Sequence, residues 1–162
     1  MQVNSFNEMY ISELQEARSF EAQLIRALPD MIDKAGDPDL KQALKTHQSE
    51  TRGHLEHVTE ILRRHEASLE EHKDHSMERL LSEADKWADM IEDHDQRDAG
   101  IIASAQRIEH YEMAVYGTLA AWAKQLGLGE DEKDLRVILT EEQAADKKLT
   151  MLAEKEINPS AT

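Results

Sequence analysis

The sequence predicts an all-α protein, an antiparallel four-helix bundle with one additional crossover helix, and three observations carry that prediction. Ala, Leu, Glu, Lys and Gln recur throughout, while strand-like runs of Val, Ile and Thr are missing. Breakers are scarce, with 6 Gly and 3 Pro in 162 residues, and they divide the chain into long stretches. Inside those stretches apolar residues return at spacings of three and four, the period of a helix with one buried face.

Each element follows from these signals in turn. Ser5 is placed to cap a first helix running to about Lys34, with Pro29 expected to kink or break it, because proline removes an amide donor and crowds the preceding turn. Gly36 suits the end of that helix, and Asp37 with Pro38 suits the start of a second one reaching to about Glu71. Beyond a charged H-K-D-H turn, Ser76 can cap a third helix to about Glu92. The fourth begins near Gln96 and ends at Gly127 and Gly129; the fifth runs from about Glu130 to Ile157. Residues 1–157 then form a single domain, and 158–162 a short C-terminal tail. The tight connections at 35–38 and 127–130 turn each long pair into a hairpin. The third helix carries one ordinary apolar stripe (Met77, Leu80, Leu81, Ala84, Trp87, Ile91) and is expected outside the bundle as the crossover.

Composition narrows function. A formal charge of −15 repels phosphate backbones and anionic lipid, so neither nucleic acid nor a membrane is an expected partner. The absence of Cys excludes disulfides, thiolate metal sites and a cysteine nucleophile. The first twenty residues lack the apolar stretch of a signal peptide, and no segment is apolar enough to span a bilayer; a cytoplasmic location is expected.

The four long helices share one defect. The first stripe reads Tyr10, Leu14, Ala17, Glu21, Leu24, Leu28, Ile32. The second reads Leu40, Leu44, His47, then Glu50 and His54, then Val58. The fourth passes through Ile101, Ala105 and Ile108 to Glu112 before Val115 and Leu119, and the fifth through Leu135 and Ile138 to Glu142 and Asp146 before Leu149. Each apolar face is interrupted once, by carboxylates. Glu21 and Glu50 flank the first tight turn at similar distances, as Glu112 and Glu142 flank the second; at ~1.5 Å per residue they fall within about one helical turn in height. A short internal repeat agrees: F-E-A-Q-L at 20–24 matches Y-E-M-A-V at 111–115, and nearly the same offset carries Glu50 onto Glu142 and His54 onto Asp146.

Buried ionised carboxylates need compensation or they take up protons. Glu21, Glu50, Glu112, Glu142 and Asp146 would bring five negative charges together, nearly cancelled by two divalent cations, with His54 as a nitrogen ligand. Oxygen-rich ligation without thiolate favours iron or manganese over structural zinc. Glu109, one turn before Glu112, could bridge, act as a terminal ligand, or stand behind the ligands. His47 and His57 are expected to be hydrogen-bonding or exposed residues, His110 to point away from Glu112, and His65, His72 and His75 to be solvated near the loop before the third helix. Tyr111 and Tyr116 are near enough to the site for hydrogen bonding, with aromatic packing as the default.

The segments S-F-E-A-Q-L-I-R-A-L (19–28), H-Q-S-E-T-R-G-H-L-E-H-V (47–58), A-Q-R-I-E-H-Y-E-M-A-V-Y-G-T-L-A (105–120) and L-T-E-E-Q-A-A-D-K-K-L-T (139–150) resemble the ferritin-like stress-response proteins of the YciF and YciE type. The resemblance covers nearly the whole chain and is most specific in I-E-H-Y-E-x-A-x-Y-G-T-L. It implies a ferritin-like bundle holding a dinuclear metal centre, a homodimer, and a role in bacterial stress. Carried over by residue, the implied shell is Glu21, Glu50, His54, Glu109, Glu112, Glu142 and Asp146. The usual Glu-x-x-His motif is absent, since Gly53 follows Glu50 and Ala145 follows Glu142 at that spacing. The expected function is a di-iron (or manganese) stress protein that oxidises Fe(II) or consumes peroxide or dioxygen, as a ferroxidase or peroxidase-like oxidoreductase. The rival expectation is a non-catalytic dimeric helical protein whose metals are structural.

Overall fold

Capping chemistry sets the helix ends in the computed structural model, which describes residues 3–69 and 72–162. Helix α1 spans Phe6–Lys34, with Ser5 Oγ accepting the Glu8 amide at 3.1 Å. It runs on through Pro29 without the expected break. Its last turn is held by Lys34, which pairs with Asp30 at 2.8 Å and reaches across to Asp85 and Asp89 on the third helix. Helix α2 spans Pro38–Arg64, and Asp37 caps it by accepting the Asp39 and Leu40 amides, each at 2.9 Å.

The second helix stops at Arg64, well before the expected end near Glu71, which itself lies outside the described residues. Glu66 takes a left-handed conformation (φ 51°) and donates to the Arg63 carbonyl, while the Ala67 amide donates to Leu62. This is a Schellman ending built on a non-glycine residue. The same motif closes α4, with Gly127 (φ 75°) supplying the left-handed position where the sequence predicts it.

Helix α3 spans His75–Met90 and is capped by Asp74 rather than Ser76. Helix α4 spans His94–Leu126 and is capped by Asp93, whose carboxylate accepts the Gln96 amide at 3.0 Å. Helix α5 spans Gly129–Leu152, with Glu130, Asp131 and Glu132 in its first turn complementing the helix dipole. It continues through a π-helical turn, Ala153–Ile157, into the short helix α6, Asn158–Ser160. The expected frayed tail is therefore helical in its first three residues, and Ile157 is buried.

The hairpins α1–α2 and α4–α5 pack side by side, α2 against α5 and α1 against α4, closing an antiparallel four-helix bundle. Helix α3 lies outside against α1 and α4. Its stripe is rotated slightly from expectation: Met77 and Ala84 are buried as predicted, but Ala88 joins the core while Trp87 faces solvent.

Two buried carboxylates clamp the bundle at opposite ends. Asp98 on α4 accepts the Gly36 and Asp37 amides, both at 2.7 Å, and so ties the α1–α2 turn to the second hairpin. Asp131 on α5 accepts the Tyr10 hydroxyl at 3.0 Å and Arg64 Nε and Nη2 at 3.1 and 2.9 Å, with His65 Nε2 at 2.6 Å. Together they fix the heights at which the four helices meet. Asp98→Ala leaves two turn amides without their charged acceptor and is expected to cost roughly 2–4 kcal/mol of stability by urea denaturation. A loss below about 0.5 kcal/mol, the range of ordinary surface changes, would show that the clamp does not hold the hairpins in register.

Candidate metal centre

Midway along the bundle, the polar interruptions converge. Two groups of potential ligands form, one of Glu21, His54 and Glu142 and the other of His47, Glu109, Glu112 and Glu142, the donor atoms within each group lying within 4.8 Å of one another. Glu142 belongs to both. Each of the four long bundle helices contributes: Glu21 from α1, His47 and His54 from α2, Glu109 and Glu112 from α4, Glu142 from α5. His54 Nδ1 lies 2.9 Å from Glu142 Oε1 and 3.8 Å from Glu21 Oε1. His47 Nε2 lies 3.4 Å from Glu109 Oε1 and 3.9 Å from Glu112 Oε2, and its Nδ1 lies 3.9 Å from Glu142 Oε2.

Of the seven ligand candidates, the structure brings Glu21, His54, Glu109, Glu112 and Glu142 together and leaves Glu50 and Asp146 outside. The reason is helical phase. The buried line of α2 runs His47, Thr51, His54, Val58, and Thr51 is fully buried where Glu50 was expected. At ~100° per residue, Glu50 sits roughly 60° around the helix from His47 and ends half-buried in the seam beside α5. Asp146 is turned toward α4, where Gln106 Nε2 donates to it at 3.2 Å and His110 Nε2 lies 3.3 Å away.

His47 is the residue the sequence reading assigned to hydrogen bonding or solvent. It is 6% exposed, and neither ring nitrogen has a hydrogen-bond partner. The signal was present: His47 and His54 are seven residues apart, two turns on nearly one line. His57 and His110 are exposed, and His65 is absorbed by the Asp131 clamp. Tyr116 is fully buried and donates to Glu21, whereas Tyr111 donates to Asp74 at the head of α3.

The donor set could hold metal. Of the eleven buried side-chain polar atoms without a hydrogen-bond partner among the described residues, nine belong to these six residues. His54 Nδ1 is among them, its 2.9 Å approach to Glu142 lacking hydrogen-bond directionality. Native interiors rarely leave such atoms unsatisfied. Outside the group, Glu141 accepts or shares the proton on His54 Nε2 at 2.7 Å, which leaves Nδ1 free to present a lone pair inward. Four carboxylates with two neutral imidazoles carry −4, which two divalent cations cancel.

Electrostatics without cations run the other way. Burial pushes the Glu21 carboxyl up to about 8, with His54 opposing and Glu142 adding to the rise. Burial and then Glu142 push Glu109 up to about 10, and burial with the three other carboxylates holds Glu112 well above its usual range. Burial alone would lower His54, but Glu142 and Glu21 raise it to about 9; burial lowers His47. Burial would raise Glu142 too, but the two imidazoles hold it below its usual value.

This geometry defines a class: an antiparallel four-helix bundle of the ferritin-like kind with a buried carboxylate–imidazole group that could hold metal. The chain belongs to the family described as a domain of unknown function, DUF892, which matches residues 5–162. It is 37% identical over 162 residues to Protein YciF of Escherichia coli K12, covering 99% of this chain and 98% of that one. The crystal structure of that E. coli stress protein superposes with a TM-score of 0.92 at 37% identity, over 96% of this chain and 99% of that one. A Rhodopseudomonas palustris protein, YcfI, described provisionally as a structural protein, matches with a TM-score of 0.89 and 35% identity over 92% of this chain and 95% of that one.

The shifted groups set a pH dependence. Glu21, Glu109 and His54 all have folded values above their unfolded ones, so each binds a proton more tightly when folded. Their contribution is complete below the unfolded values and is lost as pH rises through about 8 to 10. Chelator-treated protein is therefore expected to lose stability from pH 7 to 10, by about 1.4 kcal/mol per pH unit for each group still protonated only when folded. Glu112→Gln removes one of the crowded carboxyls and is expected to stabilise metal-free protein by ~1–3 kcal/mol. Melting curves across this pH range, with and without the substitution, check both; a flat profile would mean the carboxyls are not buried together.

Proposed function

We propose that this chain is a ferritin-like bacterial stress protein that holds two metal ions, iron with manganese as the alternative, and oxidises Fe(II) at the expense of peroxide or dioxygen. The observation that carries the reading is the shared Glu142, which stands between two donor groups whose combined charge matches two divalent cations. A close pair of iron ions supplies two electrons to one two-electron oxidant.

The chain's own residues supply the rest. Glu142 would contact both cations, Glu21 with His54 would hold one, and His47 with Glu109 and Glu112 the other. Glu141 fixes the tautomer and ring orientation of His54, and Tyr116 uses its hydroxyl to fix the Glu21 carboxylate. Leu24, Ile108, Leu119 and Ile138 lie along the same buried faces and keep bulk water away, which strengthens every charge interaction inside. A homodimer in the cytoplasm, with a small oxidant as the partner molecule, completes the reading; nucleic acid and membrane have no part in it.

A second reading has support in the provisional description of the R. palustris relative: a non-catalytic dimeric helical protein whose metals are structural. Structural centres are closed, whereas two of the ligand candidates here, His47 and Glu109, line a solvent-connected cleft. That observation favours the redox reading.

Elemental analysis of protein purified without added metal is expected to find about two ions per chain, and Glu142→Ala to lose both because the residue belongs to both groups. Retention of both ions in that variant would remove the shared carboxylate from the site. Anaerobic Fe(II) loading followed by peroxide is expected to develop ferric charge-transfer absorption; loading without it would leave the structural reading standing. Because Glu21, Glu109 and Glu112 hold protons in the empty site, metal binding is expected to release protons and to tighten as pH rises from 6 to 8, measurable by calorimetry in buffers of different ionisation enthalpy.

A further inference from the structure

We propose that the cleft between α2 and α5 is the route by which divalent cations reach the buried group, with Glu50 as the ligand that takes them up at its mouth. This rests on the dinuclear reading above and adds the route and a residue the ligand set does not contain. The cleft has a volume of about 190 Å³ and reaches from Glu50 and Lys148 at the surface to His47 and Glu109. His47 and Glu109 are the two most exposed of the six candidate ligands, at 6% and 2%; Glu21, Glu112 and Glu142 are fully buried and His54 nearly so. Both nitrogens of His47 and one oxygen of Glu109 lack partners. The opening thus ends on free donor atoms.

Its walls explain why it exists. Ala43 on α2 faces Ala144 and Ala145 on α5, and side chains this small leave the helix seam unfilled. Behind His47 and Glu109 the interior is closed by Leu24, Leu28, Met31 and Ile108, with a void of only about 10 Å³. A cation entering the seam meets donors in order of burial: Glu50 half-buried, then His47, then Glu109. A carboxylate at the rim compensates part of the dehydration that a dication undergoes before the interior ligands engage. The Lys148 ammonium lines the same mouth as Glu50.

The test is stopped-flow uptake of Co(II), whose visible bands report both rate and coordination, by the full-length protein. Ala144→Trp, which fills the seam from its exposed side, and Glu50→Gln, which removes the rim charge, are each expected to slow uptake by about tenfold or more while leaving stoichiometry and the final spectrum unchanged. Val137→Trp, exposed on α5 two turns before Ala144 and outside the cleft lining, is expected to load at the unaltered rate. Unchanged uptake in both cleft variants would overturn the route and leave the metal centre standing, as would equal slowing by Val137→Trp. A changed spectrum or lost stoichiometry in Glu50→Gln would make Glu50 a resident ligand and overturn its role at the rim. Failure of the unaltered protein to bind Co(II) would instead sink the dinuclear reading itself.

Discussion

Four carboxylates share the interior of one helical bundle, and the rest of the structure is arranged around the need to compensate them. Glu21, Glu109, Glu112 and Glu142 are each 2% exposed or less, and their oxygens supply most of the unsatisfied polar atoms among the described residues. Ionised together without cations they would repel strongly at low dielectric, so the empty site takes up protons instead. A core of this kind does not serve stability, because apolar residues of similar size would pack there without the electrostatic cost. Retaining it makes sense when the carboxylates have an occupant.

Precision at that site comes from elsewhere in the bundle. Six donors on four helices meet only if the helices hold their relative heights, and the Asp98 and Asp131 clamps do this at opposite ends. The loop between α2 and α3 is pinned in the same way: Gln15 donates to Ser68, Arg18 to Leu69, and Gln23 to Asp74. Asp74 also caps α3 and accepts from Tyr111, whose ring meets Phe20 edge-on, and Phe20 in turn meets Tyr116. The crossover helix is thereby connected, through aromatic packing, to the tyrosine that fixes Glu21.

Much of this was legible in the chain because helical period is a strong signal in long segments. Four stripes with one central polar break each gave the fold class, the helix pairing, and the inward placement of Glu21, Glu112 and Glu142. Errors arose where one residue of phase separates two polar candidates. In H-Q-S-E-T-R-G-H the spacing singles out Glu50, but the buried line through Leu40, His47 and Val58 passes closer to Thr51, a residue whose hydroxyl satisfies itself on the His47 carbonyl at 2.8 Å and so tolerates burial. Asp146 lies roughly 40° from Glu142, enough for Gln106, which also donates to Thr150, to draw it to the α4 side. Helix ends that depend on glycine or proline were readable; the end at Arg64, built on a left-handed Glu66, carries no such mark.

The internal repeat holds for one pair of positions and fails for the other, and the failure is informative. Glu21 and Glu112 occupy equivalent inward sites, as a duplicated hairpin requires. Glu142 also points inward, but its counterpart Glu50 does not, and the first hairpin supplies two imidazoles where the second supplies three carboxylates. Had both hairpins kept the carboxylate, the interior would hold at least five negative charges, more than two divalent cations neutralise. Substituting neutral nitrogen donors on α2 brings the group to −4, and full occupancy would move the formal net charge from −15 to about −11. With two divalent cations bound, the asymmetry between the hairpins would balance the site, and it leaves Glu50 in the seam between α2 and α5, half-buried beside the buried donors.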